Sequence, residues 1–264
     1  MPLTTRAPGK VNLCLLVGAP RADGLHPLVS VVQPTDLADE VSLEPADHDE
    51  VICPGVDGPN LAFRALEEFR FATDWEITGL KLTIAKRIPV AAGMAGGSSD
   101  AAAALRLAAQ ASGFAIPPDL PMRLGADVKV MIDAQRALMT GAGEHVEPLP
   151  APKPRLVVVP LDAALTAGEV YKAFDEHFTP RTPEELEHAA ARIRETGAFE
   201  AVNDLEGPAR KLCPAIDPAL EALRAHGVGH PMVSGSGPTV FGFSDDPEVV
   251  QRLHAAGYPR AVAA

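Results

Sequence analysis

The chain has 264 residues, 47% hydrophobic and 22% charged, a globular balance that excludes wholesale disorder. Its 23 Lys and Arg against 35 Asp and Glu give a net charge of −12 and an isoelectric point near 5.1. That argues against a general nucleic-acid binder, which needs a broadly basic face.

In chain order, residues 11–17 and 28–44 are rich in Val and Leu with period-two stretches and read as strands, joined by the turn Arg21-Ala22-Asp23-Gly24. Arg6 and Lys10 ahead of the apolar run 11–18 imitate a short signal peptide, but Asn12 interrupts the run. No run approaches the ~18 apolar residues of a membrane span. Asn60 is placed to cap a helix over 61–69. Leu80, Leu82 and Ile84 alternate with Lys81, Thr83 and Ala85, a strand over 79–86 with one buried face. A Gly-rich loop, Ala91-Ala92-Gly93-Met94-Ala95-Gly96-Gly97-Ser98-Ser99, leads into the Ala-rich stretch 100–111, whose propensity predicts a helix. The Pro-rich stretch 149–154 is the expected boundary between domains over 1–150 and 151–264. Beyond it, 156–160 reads as a strand, and 168–177, 183–196 and 216–225 as helices. Met232 and Val233, then 239–243, flank a second Gly-rich turn, Ser234-Gly235-Ser236-Gly237, and helix 247–256 closes the chain. Strands and helices mix without strict alternation, which points to α+β layers. Cys14, Cys53 and Cys213 form no CxxC or Cys/His cluster, so neither a disulfide framework nor a zinc site is implied, and a reducing cytoplasm fits best.

The loop running into the helix carries the strongest chemical signal. A helix start leaves N–H groups unpaired and carries partial positive charge, and glycines let those groups approach an anion closely. Ser98, Ser99 and Asp100 are also good N-cap residues, so an ordinary capped turn is the plainer reading. No Lys follows the glycines as in a Walker A motif, and the spacing is not GxGxxG. Pro8-Gly9-Lys10-Val11-Asn12 is the second signal; taken alone, Lys10 is a solvated charge and Asn12 a turn residue or a strand-edge polar group. The third is Leu124-Gly125-Ala126-Asp127-Val128, where an Asp between apolar residues is costly unless paired. The fourth is the 234–237 turn.

Together, these four segments resemble the GHMP kinases, whose motifs occur in this order along nearly the whole chain. Further likenesses point to the members that phosphorylate a cytidine diphosphate-linked methylerythritol: Asp23-Gly24-Leu25-His26, Asn60-Leu61, Lys86-Arg87-Ile88-Pro89, Gly141-Ala142-Gly143-Glu144 and Asn203-Asp204-Leu205-Glu206. The resemblance implies an N-terminal domain like the second domain of ribosomal protein S5 and a ferredoxin-like C-terminal domain. It also implies a cytoplasmic, ATP-dependent kinase of non-mevalonate isoprenoid precursor synthesis, acting on the 2-hydroxyl of its substrate. Partners would be ATP with Mg2+ and the small-molecule substrate, with neither nucleic acid nor membrane; the chain would be a monomer or homodimer.

By the same resemblance, Asp127 would accept the proton of the attacking hydroxyl, with Lys10 beside it. Pro89, Gly93, Met94, Ala95, Gly96, Gly97, Ser98 and Ser99 would bind ATP. Asn12, His26, Tyr171, Gly235 and Ser236 would bind the substrate, and no side-chain metal ligand is assigned. Leu25 stands where the family usually has Tyr, and Lys129 where it has Pro. Tyr171, in Thr166-Ala167-Gly168-Glu169-Val170-Tyr171, would then be the remaining stacking face for the base, unless it is simply a core Tyr. Lys10, Arg21, Lys86, Arg87 and Lys129 are expected to make a local positive pocket in an acidic shell. The alternatives are another GHMP kinase, acting on homoserine, a mevalonate derivative or a sugar, and a ligand sensor that has lost catalysis.

Overall fold

The computed structural model describes residues 1–56 and 58–264. In chain order these form β1 (Leu3–Val17), β2 (Leu28–Pro45), β3 (Glu50–Ile52), α1 (Leu61–Thr73), β4 (Leu80–Ala85), α2 (Gly96–Ser112), α3 (Leu120–Leu124), α4 (Ala126–Met131), β5 (Ala137–Gly141) and β6 (His145–Pro148). There follow β7 (Leu156–Val159), α5 (Ala167–His177), α6 (Pro183–Thr196), α7 (Glu206–Leu212), α8 (Ile216–Ala225), β8 (Gly229–Val233), β9 (Val240–Phe243), α9 (Val249–Ala255) and β10 (Val262–Ala263).

Compactness divides the chain into two interleaved units. One is Met1–Gly9 with Ala38–Val90 and Ala95–Ala134; the other is Lys10–Leu37 with Ala91–Met94 and Gln135–Ala264. This division differs from a single cut at residue 150, because the 15-residue β1 and the 18-residue β2 each give residues to both units. At ~3.3 Å per residue, a strand as long as β2 reaches ~60 Å, more than one small core can cover.

In the first unit, β4 pairs antiparallel with the end of β2, Glu40 opposite Ala85 and Pro45 opposite Leu80. On its other side it pairs parallel with β3. The expected alternation holds, with Leu80, Leu82 and Ile84 buried. Helix α1 starts where expected: Asn60 Oδ1 accepts the N–H groups of Ala62 and Phe63. Helix α2 packs on α1 and buries Ala101, Ala102, Ala103 and Ala104 completely. A helix apolar all round belongs inside a core, and alanines let its neighbours approach closely.

In the second unit, the start of β2 pairs antiparallel with β5, which pairs with β6. A separate antiparallel sheet runs in the order β10-β7-β9-β8. Helices α5 and α6 both open with a capping box, Thr166 with Glu169 and Thr182 with Glu185. Each box satisfies two otherwise orphan N–H groups.

The strands expected over 11–17, 28–44, 79–86 and 156–160 and the helices over 61–69, 168–177, 183–196, 216–225 and 247–256 fall on the observed elements. The helix expected over 100–111 needs correction, since α2 begins four residues earlier, inside the Gly-rich loop. The three cysteines are free thiols. Burial pushes the Cys14 thiol up to about 12, which holds it protonated and unreactive at neutral pH. Among the described residues, no helix is long and apolar enough to cross a membrane.

Candidate active site

The Gly-rich loop becomes the first turn of α2. Ala95 occupies the N-cap position in the left-handed region (φ 54°) and offers no side-chain cap. The expectation that Ser98, Ser99 or Asp100 caps the helix is therefore incorrect: all three lie within it. Ser99 is buried, and its hydroxyl donates to the Pro8 carbonyl at 2.7 Å, tying the helix to the start of the Pro-Gly-Lys motif. The turn thus presents backbone N–H groups with no side chain closing them off, as an anion site requires. Gly97 is exposed, and a Cβ there would have no atom within 4 Å.

Asp100 points the other way, into a buried ion cluster. Lys86 Nζ donates to Asp39 Oδ2 at 2.5 Å and to Asp100 Oδ2 at 2.7 Å. Burial raises the Asp100 carboxyl to about 6, outweighing the pull of Lys86, and Asp39 adds to the rise. Burial also works against the Lys86 ammonium, but the two carboxylates override it and the net shift is upward.

The Asp100 shift has a definite sign in stability. A folded-state value above the usual 3.8 means the folded chain binds the proton more tightly, so this contribution is lost as pH rises from about 4 through about 6. Asp100→Asn removes the titration. The melting temperature of the variant minus that of wild type is therefore expected to grow between pH 4 and pH 7. Calorimetric scans across that range would refute the assignment if the difference stayed constant.

Asp127 sits in the first turn of α4, half-buried. Gly125, immediately before α4, has φ 149°. The neighbouring Val128 is buried and anchors the turn.

The second unit holds the Lys10 end of the motif. Lys10 and Asn12 are both buried on β1. Lys10 Nζ donates to Asn12 Oδ1 at 2.8 Å, Asn12 Nδ2 donates to Ser30 Oγ at 2.8 Å, and Ser30 Oγ donates to the Cys14 carbonyl. This chain of bonds fixes the ammonium's position from behind. The Lys10 N–H donates to the Met94 carbonyl, so the first part of the Gly-rich loop is tied to β1.

The 234–237 turn packs against the same place. Ser234 Oγ donates to the Gly93 carbonyl at 3.3 Å, and the Thr239 N–H donates to that of Ala92 at 3.2 Å. A Cβ at Gly235 (φ 56°) would lie 3.1 Å from Asn12 Oδ1 and 3.3 Å from Lys10 Nζ. Gly235 is buried and Ser236 half-buried; the Gly237–Pro238 peptide is cis.

The Asn-Asp-Leu-Glu segment holds this turn in place. Asn203 Nδ2 donates to the carbonyls of Val233 and Gly235, at 2.9 and 2.7 Å, and Glu206 Oε2 accepts the Val233 N–H. Asp204 accepts the Val17 N–H and a two-pronged contact from Arg181. In the sequence these residues stood only as a family likeness; their positioning role depends on long-range contacts that local pattern does not reveal.

His26 and Tyr171 also come together, with ring centroids 4.9 Å apart and planes tilted by 36°. His26 is buried, and its Nδ1 lies 2.8 Å from the Gly18 carbonyl. A carbonyl only accepts, so Nδ1 carries the proton. Nε2 is 3.5 Å from Asp175 Oδ2, and Phe174 meets the ring edge-on. Tyr171 is half-buried, while its helix buries Val170, Ala173 and Phe174 on the core side. Leu25 beside His26 is 49% exposed.

The expected positive pocket loses two members. Arg21 is paired with Asp23 (2.7 Å) and Glu144 (2.5 Å), and Lys86 with two buried carboxylates. Charge counting along the chain saw the cations but not the acids that the fold sets against them.

Two family models match the chain, GHMP kinases N terminal domain over residues 60–141 and GHMP kinases C terminal over residues 171–260. A 4-diphosphocytidyl-2-C-methyl-D-erythritol kinase of Anaeromyxobacter sp. (strain Fw109-5) is 41% identical over 255 residues, covering 92% of this chain and 82% of the relative. One of Nocardioides sp. (strain ATCC BAA-499 / JS614) is 40% identical, covering 98% and 95%. Among solved structures, a 4-(cytidine 5'-diphospho)-2C-methyl-D-erythritol kinase superposes with a TM-score of 0.82 at 34% identity, over 99% of this chain and 98% of that one. The Methanococcus jannaschii mevalonate kinase shares the fold, with a TM-score of 0.68 at 12% identity over 100% and 97%. The mixed α/β architecture with N- and C-terminal kinase domains agrees with the one the motifs imply, and this chain belongs to the GHMP kinase family.

Proposed function

We propose that this chain transfers the γ-phosphoryl group of ATP to the 2-hydroxyl of 4-diphosphocytidyl-2-C-methyl-D-erythritol. The observation that carries the reading is the 41% identity, across 92% of the chain, to a kinase named for that substrate. The uncapped, Gly-rich start of α2 supports the phosphate end of the reading, with Pro89, Gly93, Met94, Ala95, Gly96, Gly97, Ser98 and Ser99 as its ATP segment. Met94 is buried, so it acts there through its backbone.

In this reading Asp127 takes the proton of the 2-hydroxyl. The hydroxyl oxygen bonds to the γ-phosphorus as the bond to the bridging oxygen of ADP breaks, and ADP leaves. Lys10, held by Asn12, stabilises charge on the phosphoryl group in flight. Asn12, Gly235 and Ser236 bind the acceptor. Mg2+ fits an ATP site of this kind: it takes oxygen ligands and keeps most of them from phosphates and water. Ser98, a half-buried hydroxyl in the first turn of α2, is the chain's candidate ligand. When bound, the ion neutralises phosphate charge. The protein works in solution as a monomer or homodimer, in the cytoplasm.

The cytosine ring stacks on Tyr171 beside His26. Stacking of a base on an aromatic is worth ~1–3 kcal/mol, so Tyr171→Leu is expected to raise KM for the cytidine substrate about tenfold or more while KM for ATP holds. Steady-state kinetics with each substrate varied in turn checks this; equal changes in both constants would remove Tyr171 from the site. The reaction itself is tested by phosphorus NMR of the product. A new phosphomonoester resonance beside an intact diphosphate is expected, and ATP consumption without it would refute the assignment.

A further inference from the structure

The cluster beneath the Gly-rich loop is more than the site's ATP reading requires. Asp39 lies on β2 with its side chain fully buried. One oxygen, Oδ2, accepts Lys86 Nζ at 2.5 Å. The other, Oδ1, accepts the N–H of Arg87 at 2.5 Å and of Ile88 at 2.8 Å, the residues that lead into the loop at Pro89. Lys86 continues the connection to Asp100 at 2.7 Å, in α2, where the loop ends. Its ammonium would also lie 3.2 Å from a Cβ at Gly96, so the first residue of α2 is packed directly over it. One carboxylate thereby holds the entry of the loop through backbone bonds and its exit through a buried ammonium.

The energetics argue that this arrangement is not there for stability. Two carboxylates and one ammonium are withdrawn from water, and Asp100 Oδ1 is buried with no hydrogen-bond partner among the described residues. Buried ion clusters of this kind are often no more stabilising than apolar residues of the same volume, and they fix geometry instead. Among the described residues, Cys53 also feels the charges of all three. With both carboxylates ionised the cluster carries net negative charge near an anion site, which would be counterproductive for attracting phosphate. Its value lies in where it holds the backbone.

We propose that Asp39 is a positioning residue for the phosphate loop, holding residues 87–88 directly and the start of α2 through Lys86 and Asp100, so that the N–H groups of 96–98 are set for ATP. The proposal rests on the reading that this loop binds the phosphates. Asp39→Asn keeps an acceptor for the two N–H groups and loses the charge that holds Lys86. A loop set wrongly by a fraction of an ångström is expected to weaken ATP and ADP about tenfold or more, with KM for the cytidine substrate within about twofold. Kinetics and ADP calorimetry read this split. A merely structural role would lower the melting temperature and the active fraction without separating the two substrates. If Asp39→Asn does not fold, Lys86→Gln is expected to give the same split.

Nucleotide affinity within about twofold of wild type in a folded variant overturns the proposal, as do parallel losses for both substrates. Failure of both variants to fold also overturns it, making the cluster a folding element. Gly97→Asp separates this outcome from failure of the loop reading, because it places a carboxylate in open space at the loop without touching the cluster. If Gly97→Asp abolishes ADP binding and Asp39→Asn leaves it intact, only the positioning role falls. If Gly97→Asp also leaves ADP binding intact, the loop reading itself falls.

Discussion

Replacing Asp127 with Asn is expected to leave a folded protein whose turnover is reduced at least ~10²-fold and up to ~10⁴-fold, the usual worth of a general base. The change conserves shape in the first turn of α4. Turnover and melting temperature together make the test. A large loss of turnover at nearly constant melting temperature is the signature of lost chemistry, whereas near-full activity would show that another group takes the proton. KM for ATP should change little, since the carboxylate is assigned to the acceptor's hydroxyl.

The second large effect is expected at Gly93. Its φ of 75° lies in the left-handed region, and a Cβ there would sit 2.4 Å from the Gly237 carbonyl oxygen and 2.9 Å from that of Ser234. Both obstacles are backbone and cannot swing aside as a flexible side chain would. Gly93→Ala therefore has to displace the 234–237 turn or the loop. Together, strain and clash place it among severe substitutions, on the order of 3 kcal/mol. Thermal unfolding and ADP titration are expected to show a lower melting temperature and weakened nucleotide binding. An Ala variant with wild-type values of both would mean that the two segments do not meet as described.

How far the sequence carries can be seen at particular residues. Asn60, Thr166 and Thr182 lie at helix starts that local pattern can identify, because capping is a short-range bond between near neighbours. The Ala-rich α2 was legible for the same reason, but its first residue was not. Ser98 and Ser99 look like caps in sequence, whereas the chain enters the helix through left-handed Ala95 and spends the Ser99 hydroxyl on Pro8, 91 positions away. Helices α3, α4 and α7 have seven residues or fewer and too little periodicity to declare themselves. The two-residue β10 exists only because β7 is there to pair with it. Lys10 and Asn12 stand out in the sequence only through a motif, and the hydrogen-bonded chain through Ser30 shows the physical reason for the pair. Nothing local distinguishes Asp39 from other strand carboxylates; its hydrogen-bond partners stand 47 to 49 positions later in the chain.

The net charge of −12 also reads differently beside the structure. ATP and the proposed substrate are strongly anionic, and Arg21 and Lys86 are already committed to carboxylates. Net charge governs solubility and non-specific binding while local fields govern a site, so in the proposed reading the backbone N–H groups at the start of α2 supply the attraction for phosphate. The acidic shell is therefore compatible with nucleotide binding.

The identity of the phosphoryl acceptor is decided by measuring ADP release from ATP with a panel of alcohols: 4-diphosphocytidyl-2-C-methyl-D-erythritol, homoserine, mevalonate and galactose. The cytidine compound is expected to give the highest kcat/KM by a wide margin, with the other three giving turnover near background. ADP release with any of those three and none with the cytidine compound would contradict it. ATP turnover with no member of the panel, alongside retained ligand binding, would instead make the chain a sensor.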